Sequence, residues 1–156
     1  MTDRPTPPTA PSRRWGFAWL TLCAALAFHV ADEATSDFLG LWNPLVASIR
    51  GRLPWLPLPT FSFDLWLAGL VVVIATLTAL SFFVFRGARW MRPPAIVLAV
   101  LMIGNGLGHV AASVWLARPA PGVFSSPLLV IAAGWLLILT RQRSGRQLAE
   151  NDRSAA

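Results

Sequence analysis

The residues best suited to chemistry are the two histidines of the chain and the polar residues beside them. His29 opens the sequence HVADE, so that Asp32 and Glu33 follow it three and four residues later. His109 closes the sequence NGLGH, four residues after Asn105. On a helix, residues three and four apart lie on the same face. Each histidine is therefore expected to share a helix face with its polar neighbours.

These residue types are common ligands of transition metals. Imidazole nitrogens and carboxylate oxygens bind zinc and iron, and two histidines with one carboxylate leave coordination positions open. We therefore predict a divalent-metal site, zinc or iron, with His29, Glu33 and His109 as ligands. Asp32, Glu33 and Asn105 are the predicted catalytic groups, since a carboxylate beside such a site can act as a general acid or base.

Three other interpretations use the same residues. Two facing histidines can hold a haem, histidines and acids can relay protons across a membrane, and an acid paired with a histidine can fix the register of two helices. The sequence contains no tetrapyrrole motif, which counts against haem. The metal or acid–base site is the leading interpretation, because ionisable residues inside membrane segments are costly and usually functional.

The composition indicates an integral membrane protein. Hydrophobic residues make up 55% of the 156 residues and charged residues only 13%, with a mean hydropathy of +0.58, whereas soluble domains carry about 25% charged residues. All 13 basic residues are arginines between apolar runs, which suits control of membrane topology better than nucleic-acid binding. Cys23 is the single cysteine, which excludes a disulfide framework and a CxxC metal site.

Four apolar segments are predicted to cross the bilayer, whose core of ~30 Å needs ~20 residues of helix. The predicted fold is all-α: a four-helix transmembrane bundle over 15–141, with a disordered cytoplasmic tail at 1–14 and a cytoplasmic tail at 142–156. The first segment also resembles a signal peptide, but the long apolar segments after it favour a true span. The predicted spans are about 15–36, 64–86, 94–117 and 123–141.

The arginines also predict the orientation. With four spans, both tails and the 86–92 loop share one side, which the positive-inside rule makes the cytoplasm. Arginine without lysine, with abundant alanine, indicates a GC-rich genome, and the predicted location is a bacterial cytoplasmic (inner) membrane, with several spans and both termini cytoplasmic. The cytoplasmic arginines are Arg4, Arg13, Arg14, Arg86, Arg89, Arg92, Arg141, Arg143, Arg146 and Arg153; the others are Arg50, Arg52 and Arg118.

A short interfacial helix is predicted between the first two spans. Asn43 followed by Pro44 is a good N-cap with proline at the first helical position. LVASIRGR would then form the helix, with Trp42 and Trp55 as anchors at the outer interface. The segment 43–59 is either a lid over the polar site or a simple linker, and we favour the linker.

Helix lengths predict that the two histidines share a depth in the membrane. The same number of residues separates His29 from Trp15 as separates His109 from Ala95. At a rise of about 1.5 Å per residue, each histidine lies ~21 Å from the cytoplasmic boundary, so the two meet if their helices are neighbours. The glycines at 104, 106 and 108 predict that the third span is a tightly packed central helix.

HVADE with a later histidine resembles the HXXEE family of membrane proteins. That family carries an H-x-x-E-E motif in its first span, a further histidine and a Tyr-x-Pro-Gly motif. His29 and Glu33 match the first motif, with Asp32 as its first acid, and His109 matches the later histidine. PAPG (119–122) takes the place of Tyr-x-Pro-Gly, with proline for tyrosine. The resemblance spans about 15–140 and implies a fold and a site, but no reaction.

These features together predict a small metal-dependent membrane enzyme that acts on a lipid or other apolar molecule. The alternative is a non-enzymatic membrane protein, either a proton or ion pathway or an accessory subunit, whose histidines and acids interlock the helices. The predicted partners are the lipid bilayer and an apolar small-molecule substrate, without nucleic acid.

Reporter fusions test the predicted topology. A fusion after Arg92 is expected to report the cytoplasm and a fusion after Pro59 the periplasm, because the arginines are concentrated on one side of the predicted spans. A periplasmic signal at Arg92 would contradict the four-span arrangement.

Overall fold

The computed structural model describes the backbone of residues 10–154 and the side chains of residues 13–142. The described residues form helices and no strand, which confirms the predicted all-α class. The predictions for residues 1–9 and 155–156 lie outside this range. The helices are α1 (Ala10–Thr35), α2 (Phe38–Arg52), α3 (Phe63–Phe85), a 3-10 turn (Arg89–Met91), α4 (Arg92–Leu116) and α5 (Ser126–Ser154).

Three of these helices are long and apolar enough to cross a membrane: Arg13–Thr35, Phe63–Phe85 and Arg89–Leu116. They coincide with the first three predicted spans. The apolar part of α5, Ser126–Gln142, is shorter. Its 17 residues would extend ~25 Å, slightly less than the ~30 Å of a typical bilayer core.

The helices at the centre of the packing are α1 and α5: α1 packs against both α3 and α5, and α5 packs against both α1 and α4, whereas α4 packs mainly against α5. More than half of the apolar stretch of α1 is buried, against less than a quarter of that of α4. The prediction that the third span is the central helix is therefore wrong. The three glycines of α4 do not share one interface. A Cβ at Gly104 or Gly108 would meet nothing within 4 Å, and of the three only Gly106 lies close to a neighbour, Val130 of α5.

One face of α1 carries its buried residues, which recur every three or four positions as expected for one side of a helix. At the start of this face, the indole N–H of Trp15 donates to the Thr140 hydroxyl of α5 at 2.9 Å, and that of Trp19 donates to the Leu77 carbonyl of α3 at 2.8 Å. The other end of this face carries two buried residues of the HVADE sequence, His29 and Glu33. The buried residues of α1 are Trp15, Gly16, Ala18, Trp19, Leu22, Cys23, Ala25, Leu26, His29, Val30 and Glu33.

A helix does lie between the first two candidate spans, but its predicted start is wrong. α2 begins at Phe38 and not at Pro44, and its N-cap is Asp37, whose carboxylate accepts from the Gly40 N–H at 3.2 Å. The side chain of Asn43 is engaged elsewhere, with both the carbonyl (2.9 Å) and the N–H (3.1 Å) of Phe61. Asn43 therefore joins α2 to the segment just before α3, a long-range contact that local capping rules do not predict.

Candidate metal centre

The two motif residues of α1 end its buried face. His29 is 1% exposed and Glu33 is 5% exposed. As residues four apart on one helix, they present their side chains in the same direction. Nε2 of His29 lies 3.6 Å from Oε1 of Glu33. The helix alone thus places an imidazole beside a carboxylate in a buried position.

The second histidine reaches the same carboxylate from α4. Nε2 of His109 lies 3.0 Å from Oε1 of Glu33, and the centroids of the two imidazole rings are 4.8 Å apart. His109 is 7% exposed. The predicted meeting of the two histidines is therefore confirmed.

The spacing of these side chains suits a single metal ion. One donor atom from each of His29, Glu33 and His109 lies within 4.8 Å of the others. Ligands ~2.0–2.2 Å from one tetrahedral ion are about 3.3 Å from each other. The two distances from Oε1 of Glu33 to the histidine Nε2 atoms, 3.0 and 3.6 Å, lie on either side of that value. The three side chains can thus converge on one ion with small adjustments.

Hydrogen bonds of Ser125, the residue before α5, indicate where the proton of His29 lies. The Ser125 hydroxyl has one proton and lies 2.7 Å from Oδ2 of Asp32 and 3.1 Å from the Gly122 carbonyl. Because the Asp32 carboxylate oxygen accepts that proton, we infer that Nδ1–H of His29 donates to the Ser125 oxygen at 2.8 Å. Nε2 of His29 then keeps its lone pair, which accepts from the Asn105 amide at 3.0 Å. Metal-binding histidines are commonly oriented in this way by a partner on the other ring nitrogen.

Asp32 itself points to the start of α5. Its Oδ2 accepts from the Ser125 backbone N–H at 3.0 Å as well as from the hydroxyl. A carboxylate at this position is favourable, because the first N–H groups of a helix lack partners within the helix and carry partial positive charge. The first acid of the motif thus holds α5, whereas the second faces the histidines.

Asn105 borders the site on α4. Its amide donates to Nε2 of His29 at 3.0 Å. It lies one helical turn before His109 on the same face, as the spacing predicts. Asn105 is therefore close enough to contact anything bound at Nε2 of His29.

The Pro-Gly turn before α5 closes one side of the centre. The Val123 N–H donates to the Ala120 carbonyl at 3.1 Å across Pro121 and Gly122, and Gly122 has φ +81, as the third residue of a type II turn requires. A Cβ at Gly122 would lie 2.9 Å from the His109 ring and 3.0 Å from Cγ of Glu33. Only glycine fits this turn both in backbone conformation and in space.

An apolar groove opens beside the centre. It has a volume of about 290 Å³ and runs between α2 and α4. The Phe38 ring of α2 lies 6.0 Å from the His109 ring, centroid to centroid, and stacks at 5.7 Å on Trp66 of α3. The groove is lined by Phe38, Leu41, Trp42, Leu45, Gly104, Asn105, Gly108, His109 and Ala112.

Comparison with known proteins agrees with the motif. The model of a family described as proteins of unknown function with an HXXEE motif matches residues 19–136. The chain belongs to the HXXEE family. No curated protein and no solved structure matches it.

In the structure, the HXXEE motif of this chain contributes residues both to the centre and to the contact with Ser125. Its histidine and second acid line the centre, and its first acid, Asp32, anchors α5 through Ser125. Gly122 of the Pro-Gly turn lies against the same Glu33 side chain and against His109. Sequence reasoning missed Ser125 and Phe38 as neighbours of the site. The paired serines at the start of an apolar run were the available signal for Ser125, whereas Phe38 had none.

The hydrogen-bond chain predicts the tautomer of His29. With ¹⁵N-labelled histidine, NMR of the purified protein is expected to show one ring protonated at Nδ1 and unprotonated at Nε2. Ser125→Ala removes the acceptor of that proton, so the tautomers of this ring should become mixed. Ser126→Ala is the matched control, since its hydroxyl donates to the Gly122 carbonyl (2.7 Å) and not to His29. A His29 ring protonated at Nε2 alone in the wild type would refute the assignment.

Proposed function

We propose that His29, Glu33 and His109 bind one divalent ion, zinc or iron, and that the protein is a metal-dependent enzyme acting on a lipid or other apolar molecule in the membrane. The observation that carries the proposal is the convergence of three buried donor atoms within 4.8 Å. Two histidines and one carboxylate are a common ligand set of catalytic zinc and non-haem iron.

The electrostatics of the centre support a bound cation. Burying a carboxylate without a charged or hydrogen-bonding partner is costly. Among the described residues, the basic side chains within 4 Å of the Glu33 carboxylate are the two histidines, with no arginine among them. Because Nε2 of His29 keeps its lone pair, that nitrogen adds electron density to the cavity. A divalent ion would balance both groups.

Asn105 is placed to contact whatever binds at Nε2 of His29. Its amide N–H donates to that nitrogen, whose lone pair an ion would take. We infer that a bound ion would displace this hydrogen bond, and that the Asn105 amide would then be available to hold a polar group of the substrate. We keep Glu33 as a metal ligand and Asn105 as a catalytic group, as the sequence predicts. We assign Asp32, also predicted as a catalytic group, a positioning role through Ser125.

The ion would supply a bound water of lowered pKa or polarise a carbonyl oxygen of the substrate. The protein groups around it keep bulk water out. Phe38 covers His109 from α2, and the Pro-Gly turn covers Glu33 from the other side. The only polar lining residues of the adjacent groove are Asn105 and His109. This environment favours an apolar substrate with a single reactive polar group.

We also propose that α5 is the fourth span. Its apolar stretch, Ser126–Gln142, falls at the short end of the range of ~17–25 residues seen for transmembrane helices. Four spans keep the arginine-rich tails and the 86–92 loop on the cytoplasmic side of a bacterial inner membrane. The metal centre then lies in the outer half of the bilayer, with α2 at the outer interface.

The competing interpretation is a structural interlock without a metal. It is favoured by the 3.0 Å contact between Nε2 of His109 and Oε1 of Glu33, since that hydrogen bond alone can join α1 to α4. Such a pair would leave the protein a non-enzymatic membrane component, either a proton pathway or an accessory subunit.

Metal analysis separates the two interpretations. Protein purified without chelator should hold about one zinc or iron per chain, and His109→Ala or Glu33→Gln should reduce that content at least ~10-fold, as loss of a ligand does. Circular dichroism should show unchanged helicity, because the backbone hydrogen bonds of membrane helices are internal.

Asp64→Asn is the matched control, since Asp64 is an exposed acid at the start of α3. It should leave the metal content unchanged. Metal-free wild-type protein, together with a lower melting temperature of His109→Ala, would support the interlock and overturn the proposal.

A further inference from the structure

The α2–α4 groove has a floor of small residues. Gly104, Gly108 and Ala112 recur every four residues along α4, so they lie on one face. A Cβ at Gly104 or Gly108 would meet nothing within 4 Å. The groove is therefore open because α4 carries no side chains there, opposite the apolar wall of α2 formed by Phe38, Leu41, Trp42 and Leu45.

The groove leads to the candidate metal centre. Asn105 and His109 directly follow Gly104 and Gly108 in the sequence, and both line the groove. They also contact the other side chains of the centre, Asn105 through Nε2 of His29 and His109 through Oε1 of Glu33. One continuous surface thus combines apolar walls with two polar side chains.

The wall formed by α2 is held in place. Its Trp42 indole N–H donates to the Pro59 carbonyl at 3.0 Å, and its Phe38 ring stacks on Trp42 at 5.9 Å and on Trp66 at 5.7 Å. A second helix docking on the glycines would have to displace this wall. A slender chain fits without that change.

We propose that the α2–α4 groove binds the hydrocarbon chain of a lipid, with a polar end group of that lipid at Asn105 and His109. This assignment rests on the proposed function and names its substrate class. None of the lining residues is an aspartate, glutamate or arginine, so the walls suit an apolar chain whose polar end group lies at Asn105 and His109. The volume of about 290 Å³ is near the lower limit of ~300–1,000 Å³ for ligand sites, so it holds part of a chain whose remainder extends into the bilayer.

Photolabelling tests the groove directly. The probes are a free fatty acid and a phospholipid, each with a diazirine near the end of the acyl chain, added to the full chain in vesicles of phosphatidylglycerol. Mass spectrometry is expected to find the label on the groove segments of α2 and α4, and the more efficient probe identifies the source of the chain. Gly104→Leu should reduce this labelling by about tenfold, because its side chain fills part of the groove. That factor corresponds to roughly two fewer buried methylene groups of the ligand.

Gly69→Leu on α3 is the matched control, because a Cβ there also meets nothing within 4 Å and the residue lies outside the groove. It should leave the groove labelling unchanged. Ala112→Leu is a second filling variant, at the far end of the same floor, and should act like Gly104→Leu. Labelling spread evenly over the lipid-facing helices, or equal loss in the Gly69→Leu control, would overturn the proposal. So would hexadecane competing as well as unlabelled palmitate, since the polar end group would then contribute nothing.

Metal content measured on the same samples separates this proposal from the previous one. Gly104→Leu protein that loses labelling but keeps its metal supports both. Metal-free wild type that still labels the groove in a Gly104-dependent manner supports lipid binding and refutes the metal centre.

Discussion

The central constraint on this structure is the buried carboxylate of Glu33. A carboxylate that is 5% exposed needs partners of opposite charge or with hydrogen-bond donors, because its desolvation otherwise costs several kcal/mol. Among the described residues, Nε2 of His109 from α4 lies 3.0 Å from this carboxylate, and Nε2 of His29 on its own helix lies 3.6 Å away. α4 packs mainly against α5 and not along α1. The carboxylate site is therefore one of the places where side chains of α1 and α4 meet directly.

The start of α5 supports that meeting. The Pro-Gly turn places the Gly122 backbone against both Glu33 and His109, and Ser125 connects His29 with Asp32. Asp32 in turn accepts from the backbone N–H of Ser125 just before α5, where a negative charge is favourable. The HXXEE residues, the Pro-Gly turn and Ser125 thus form one assembly. A change in the turn is expected to reach His29 through its 2.8 Å contact with Ser125, and His109 through the close approach of Gly122.

Much of the site could be predicted from local spacing. Helical periodicity placed His29 with Glu33 and Asn105 with His109, and the helix rise placed both pairs at one depth. The parts that failed depend on tertiary contacts. Asn43 has the sequence of an N-cap but bonds to Phe61, and Gly104 and Gly108 line a groove and not a helix interface. Ser125 and Phe38 reach the site because of how the chain folds back before α5 and at α2, and for Phe38 no local pattern indicates this.

X-ray absorption spectroscopy of the zinc-loaded protein tests the proposed metal centre most directly. The proposed ligand set predicts two imidazole ligands and oxygen ligands at ~2.0–2.2 Å, with no sulfur at ~2.3 Å, although Cys23 lies buried in the same helix as His29. Loss of one imidazole in His109→Ala should follow. A spectrum without imidazole scattering, or with a sulfur ligand, would contradict the metal centre proposed here.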